Sequence, residues 1–217
     1  MPLRHELARA VALATGGGGG EPRRRDPIAA LAWLPAVGLA TGLLAAGAAS
    51  VAGRVGPVAA ALAGVAVLVA LDGRVRPGRR AWLVAAVVEV GAASRMTPGA
   101  RTPALLVAPM LARWACVVQC YGGTARPGAD GLAALVGRAR FREFAVASVT
   151  ALGAVLVLLD AVGLAVAVAS ALVTVGVRTA VYRSGRGFGD GAMHATSALV
   201  ETGVLVLLAM IGGLLAR

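Results

Sequence analysis

The chain has 217 residues, 59% hydrophobic and 14% charged, with a mean hydropathy of +0.82; this excludes an ordinary soluble domain and points to a membrane protein. All 21 cationic residues are arginine, and ten acids leave a formal net charge of +11. The arginines lie in short clusters between apolar runs, which argues against a nucleic-acid partner, whose phosphates call for a concentrated basic face.

The first apolar stretch, 11–15, is too short to span a bilayer and runs into GGGGGEPRRRD, with no small-residue cleavage site. The five glycines lack the Lys-Ser/Thr ending of a phosphate-binding P-loop and read as a linker. Residues 1–26 are therefore expected to form a flexible cytoplasmic segment, and 27–217 a single transmembrane helical domain. Apolar runs follow at 27–53, 57–71, 81–94, 103–121, 144–159, 161–177 and 191–216. Their interiors are rich in Ala, Gly, Ser and Thr, residues that allow close helix approach inside a bilayer. The expected fold is all-α: a polytopic helical bundle of about seven apolar segments and six to seven crossings. Segment 81–94 falls short of the roughly 20 residues a full crossing needs. No strand alternation supports a barrel, and no internal repeat marks an inverted-repeat transporter.

Arginine placement tests the parity. With seven crossings and a cytoplasmic amino terminus, the inner loops hold Arg4, Arg9, Arg23 to Arg25, Arg74, Arg76, Arg79 and Arg80. They continue with Arg126, Arg138, Arg140, Arg142, Arg178, Arg183 and Arg186, sixteen in all. The outer side holds four: Arg54, Arg95, Arg101 and Arg217. Such a bias is the positive-inside signature, and Trp33, Trp82 and Tyr121 fall near the same inner interface.

Charges within the apolar runs are Glu89, Arg113 and Glu201, with Asp160 at a turn on the outer side. Arg113 and Glu201 fall at similar depth, and an ion pair between them, structural or functional, is expected. Cys116 and Cys120 sit four apart in one apolar run and read as small buried core residues rather than as a disulfide or zinc site.

Two acids stand at inner helix ends: Asp72 in LVALDGRV and Asp190 in YRSGRGFGDGAMH. Asp190 reads either as the cap of the last helix or as a carboxylate facing a ligand. Around it, glycines at 185, 187, 189 and 191 allow close backbone approach, and Arg183 and Arg186 beside a helix amino terminus favour phosphate. Together with Arg126 in TARPG at 124–128, the inner face offers arginines for phosphates and carboxylates for a divalent ion. That mixture suits transfer of a phosphorus-linked group, with Mg²⁺ held by one or two carboxylates bridging a pyrophosphate.

APMLARWACVV at 108–118, TARPGADGLAALVG at 124–137, ALAWLPAVGLATGLLAAG at 30–47 and GRGFGDGAMHATSALVE at 185–201 resemble, in order and spacing, motifs of the cobalamin synthase family, the adenosylcobinamide-GDP ribazoletransferases. The resemblance implies a bacterial inner-membrane, Mg²⁺-dependent transferase that joins GDP-activated adenosylcobinamide to α-ribazole or its phosphate, releasing GMP. It implies Asp72 and Asp190 as catalytic, metal-holding carboxylates and Arg113, Arg126 and Gly189 as substrate-binding residues, to which the basic turn before the last helix adds Arg183 and Arg186. Implied partners are the two substrates, the lipid bilayer and either a second copy of the chain or a corrinoid-assembly complex; nucleic acid is not among them.

The chain departs from the family pattern where that pattern reads about GGLHLDGLADTADG. Leu71, Asp72 and Gly73 match, but Arg76 and Arg79 stand opposite the next two aspartates, and Phe188 replaces the threonine of the late motif. Two readings follow: a transferase with a thinned metal site, or a catalytically lapsed homologue that serves as a corrinoid-binding or scaffold membrane protein. A small transporter or a structural membrane protein, which the charges of Glu89, Arg113 and Glu201 could serve, is a third, weakened by the missing repeat and the ordered motifs.

Overall fold

The computed structural model describes residues 2–14, 27–71 and 81–215. Among them it is all-helical: α1 (Pro2–Ala14), a 3₁₀ turn (Pro27–Trp33) leading into α2 (Leu34–Ala52), then α3 (Pro57–Leu71), α4 (Ala81–Arg95), α5 (Pro98–Gly122), α6 (Phe141–Arg183) and α7 (Asp190–Leu215). Among the described residues, four stretches are long and apolar enough to cross a membrane: Ile28–Ala52, Pro98–Gly122, Phe141–Arg183 and Asp190–Gly212. Leu43, Leu44, Val87, Val149, Val157 and Leu172 all point outward from their helices, an apolar exterior that suits lipid rather than water. The chain is a membrane protein.

The amino-terminal segment expected to be flexible is helical over Pro2–Ala14. Ala10 is fully buried, and Glu6 accepts a hydrogen bond from the Trp33 indole at 3.2 Å. A lone helix of this length is marginal in water, so docking is what sustains it.

Helix α5 is the centre of the bundle, with 78% of its apolar window buried against 28% for α6. Its closest neighbour is α2. A methyl placed on Gly38 would lie 2.5 Å from the Pro109 carbonyl oxygen, and one on Gly42 2.5 Å from that of Leu105. Advancing four residues on α2 moves four residues back on α5, so the two helices are antiparallel and nearly in backbone contact. Pro109 lies inside α5 and has no N–H to offer the Leu105 carbonyl four residues earlier. The Cα–H face of Gly42 packs on that oxygen, a weak contact of the kind common where small residues meet.

Helix α6 spans 43 residues, about 65 Å if straight, twice a bilayer core. It reverses direction. Asp160 has φ 48° and ψ −134° within otherwise helical backbone, and a methyl on Gly163 would lie 2.6 Å from the carbonyl oxygen of Val155, eight residues earlier. In one straight helix those residues would be about 12 Å apart. At the far ends, Phe144 stacks on Tyr121 with ring centroids 4.6 Å apart, while Tyr182 donates to the Gly122 carbonyl at 2.8 Å. Both ends of α6 thus meet the same end of α5, so arms 141–159 and 161–183 form a helical hairpin with Asp160 at its tip. The apolar runs at 144–159 and 161–177 match these two arms.

Two arginines assigned to loops by sequence are structural clamps instead. Arg101, 6% exposed, lies in the first turn of α5 and donates from Nε to Ala93 O and from Nη2 to Met96 O, both at 2.8 Å; it closes the carboxyl end of α4, where a cation also complements the helix dipole. Arg178 lies within α6, where its Nε donates to Gln119 Oε1 at 2.9 Å and its Nη2 to Val118 O. Gln119 in turn donates to Thr174 O at 2.9 Å, locking the last turn of α5 to α6.

Candidate functional site

The loops at the Gly122 end of α5 are built over a second buried cluster containing Cys116, Cys120, Leu135, Val136, Phe188 and Met193. After α5 the chain folds back on itself, with Gly137 N–H donating to Cys120 O at 2.8 Å. A side chain on Gly123 would overlap Val136. Both cysteines are buried, as their spacing in an apolar run suggests.

The turn between α6 and α7 then docks on the α5–α6 loop. Phe188 N–H donates to Thr124 O, and Arg126 N–H donates to Phe188 O, each at 2.8 Å, forming a parallel bridge between Ala125 and Phe188. The Phe188 ring is fully buried and meets Tyr182 edge-on, centroids 6.4 Å apart. It anchors the turn, since a buried aromatic removes a large apolar area from water. Gly187 has φ +69°, and a methyl there would lie 3.1 Å from both Arg126 N and Thr124 O. Glycine is needed at this position for its conformation and for the approach.

This pairing closes a cavity of about 480 Å³ whose lining includes Arg126, Asp130, Ser184, Arg186, Gly189 and Asp190, a size ordinary for small-molecule sites. Four of the sequence-selected residues meet there: Arg126, Arg186, Gly189 and Asp190. Arg126 and Arg186 are exposed, while Asp190 is half-buried. The stem of Arg126 passes over Gly189, its Cδ 3.6 Å from where a methyl would stand. Asp190 is the first residue of α7, one place inside the cap: the Gly189 carbonyl accepts from Met193 N–H at 3.2 Å. The carboxylate therefore belongs to the first helical turn rather than to the cap position.

Other selected residues lie elsewhere. Arg183 is exposed at the end of α6 and does not line the cavity. Arg113 is buried in α5, 8% exposed, as are Glu201 in α7 and Glu89 in α4, and Thr202 donates to Glu89 Oε1 at 2.7 Å. Asp72, with Arg76 and Arg79, lies outside the described residues. Asp130 was not selected by sequence, yet it brings a second carboxylate to the lining; its only signal was its place in the loop after Arg126.

No family model, curated protein or solved structure matches the chain. The local chemistry stands on its own terms. Two guanidiniums offer planar, forked donors suited to phosphate oxygens, and the amino terminus of α7 adds partial positive charge. Among the described residues no three His, Cys, Asp or Glu converge on a metal position. Two carboxylates on a lining shared with two arginines do fit Mg²⁺, which commonly takes one or two carboxylates and completes its shell with substrate phosphates and water.

Proposed function

We propose that the chain is a membrane-embedded transferase of the adenosylcobinamide-GDP ribazoletransferase type, acting at the cavity between the α5–α6 loop and the α6–α7 turn. The observation that carries this reading is the Ala125–Phe188 bridge, which gathers arginines and carboxylates from two distant motifs onto one cavity. Arg126 and Arg186 would grip the pyrophosphate of the GDP-activated corrinoid and neutralise charge as the bond to GMP breaks. Asp190 and Asp130, with Asp72 as a further candidate from sequence, would hold Mg²⁺. That ion supplies charge stabilisation on the phosphoryl oxygens when bound. The attacking hydroxyl of α-ribazole or its phosphate takes the phosphorus attached to cobinamide, and catalysis is mainly positioning and electrostatics.

The purified protein in a mild detergent, given the GDP-activated corrinoid, α-ribazole phosphate and Mg²⁺, is expected to release GMP. No release above a control lacking protein, from a sample that melts cooperatively, overturns the activity. Corrinoid binding without release would identify the lapsed homologue instead, the reading favoured by Arg76 and Arg79 opposite family aspartates.

The same proposal carries seven crossings: α2, α3, α4, α5, the two arms of α6, and α7, with the amino terminus cytoplasmic. The arginine distribution supports it. Because Cys116 and Cys120 are buried, engineered cysteines can be labelled over a low background. Arg138→Cys is expected to react only with reagent on the cytoplasmic side, and Asp160→Cys only from outside; labelling of both from one side rejects the hairpin as a pair of crossings.

A further inference from the structure

At the opposite end of α5 lies another cavity, of about 600 Å³, between the α2–α3 turn and the α4–α5 turn. Its lining contains Arg54 and Arg101, the hydroxyl residues Ser50 and Thr102, and Pro57 and Pro98, the first residues of α3 and α5. Two helix amino termini therefore open onto the same space as two guanidiniums, and no acid lines it. Arg101 is 6% exposed and is fixed by the carbonyls of Ala93 and Met96. It is also one of the residues that line the cavity. Thr97, which caps α5, makes no side-chain bond to the helix, so no hydroxyl of its own closes that end. Ala49, Met96, Pro57 and Pro98 give the lining an apolar side, and Val51, Val55 and Val58, near Arg54 in sequence, are exposed.

We propose that this cavity binds a phosphate group presented by an anionic membrane lipid. Two guanidiniums and the positive ends of two helix dipoles favour a phosphodiester, although Pro57 and Pro98 themselves have no N–H to donate to it. The apolar part of the lining, at the end of a bundle whose exterior suits lipid, favours a ligand carrying acyl chains over a soluble anion. A zwitterionic headgroup is the poorer occupant, because its ammonium would meet two cations and no carboxylate. The site lies on the order of 30 Å along α5 from the Arg126–Asp190 cavity and does not depend on the activity proposed there.

The test uses the full chain in neutral detergent, offered phosphatidylglycerol, phosphatidylcholine or inorganic phosphate, with adducts counted by native mass spectrometry. Wild type is expected to retain phosphatidylglycerol in preference to phosphatidylcholine. Arg54→Gln is expected to lower that retention about tenfold while melting, without lipid, at the wild-type temperature. Arg54 is chosen because it is exposed, whereas a change at Arg101 would also uncap α4. Equal retention of the two lipids, or undiminished retention by the variant, overturns the site. Retention of inorganic phosphate but not phosphatidylglycerol overturns the lipid as its source.

Discussion

Gly42→Ala is expected to destabilise the protein by about 2 kcal/mol, within the range for forcing an extra methyl into a packed interior, and Gly47→Ala to leave it unchanged or slightly more stable. The two glycines share α2 but not its surroundings. A Gly42 methyl would stand 2.5 Å from Leu105 O and 2.7 Å from Leu106 Cα, both backbone atoms. No rotamer change relieves such a contact; α2 and α5 must move apart along their length. Separation would also uncover the Leu105 carbonyl, which Pro109 leaves without its helical donor. Gly47 has nothing within 4 Å, so alanine there gains only helix propensity, worth about 0.5–1 kcal/mol. Thermal unfolding in detergent compares the pair directly. A Gly42→Ala protein melting with Gly47→Ala would show that the α2–α5 contact does not hold the bundle together.

That contact illustrates what the sequence discloses and what it hides. Small residues in the apolar runs announce close packing, but nothing local says that Gly38 and Gly42 meet α5 rather than α3. The bounds of α3 were legible because Pro57 opens an apolar run and that run ends at Leu71. The hairpin of α6 was legible because Asp160 is the lone charge between two apolar runs. The start of α5 was not: Pro103 reads as a beginning, yet the helix opens at Pro98, since an interior proline is tolerated where neighbouring helices re-satisfy the backbone. Arg101 and Arg178 were misplaced for a related reason. Charge alone assigns an arginine to a loop, whereas here the guanidiniums satisfy carbonyls near helix ends. Within the candidate site, Arg126 and Asp190 stood out by motif, but Asp130 and the anchoring Phe188 acquire meaning only once Ala125 and Phe188, 63 residues apart in sequence, are paired.

Pairing of those loops sets the remaining expectation. On the proposed transfer, Asp190→Asn is expected to lower kcat for GMP release on the order of a hundredfold, the scale of losing one group that stabilises developing charge, and to raise the Mg²⁺ concentration needed for half-maximal rate. Arg126→Gln removes a phosphate contact made by bound substrate as well as by the transition state, so its effect falls mainly on KM. Gly187→Ala removes no reacting group. It imposes a side chain at φ +69°, 3.1 Å from Arg126 N and Thr124 O, and so strains the turn that carries Asp190 toward the loop that carries Arg126. Small displacements of reacting groups are costly, up to about a hundredfold for 1 Å; Gly187→Ala is therefore expected to lower kcat at least tenfold with little change in melting temperature. An alanine variant with full GMP release would mean that the bridge at Phe188 does not position the chemistry, and would detach the transfer reaction from this cavity even if the protein proved active.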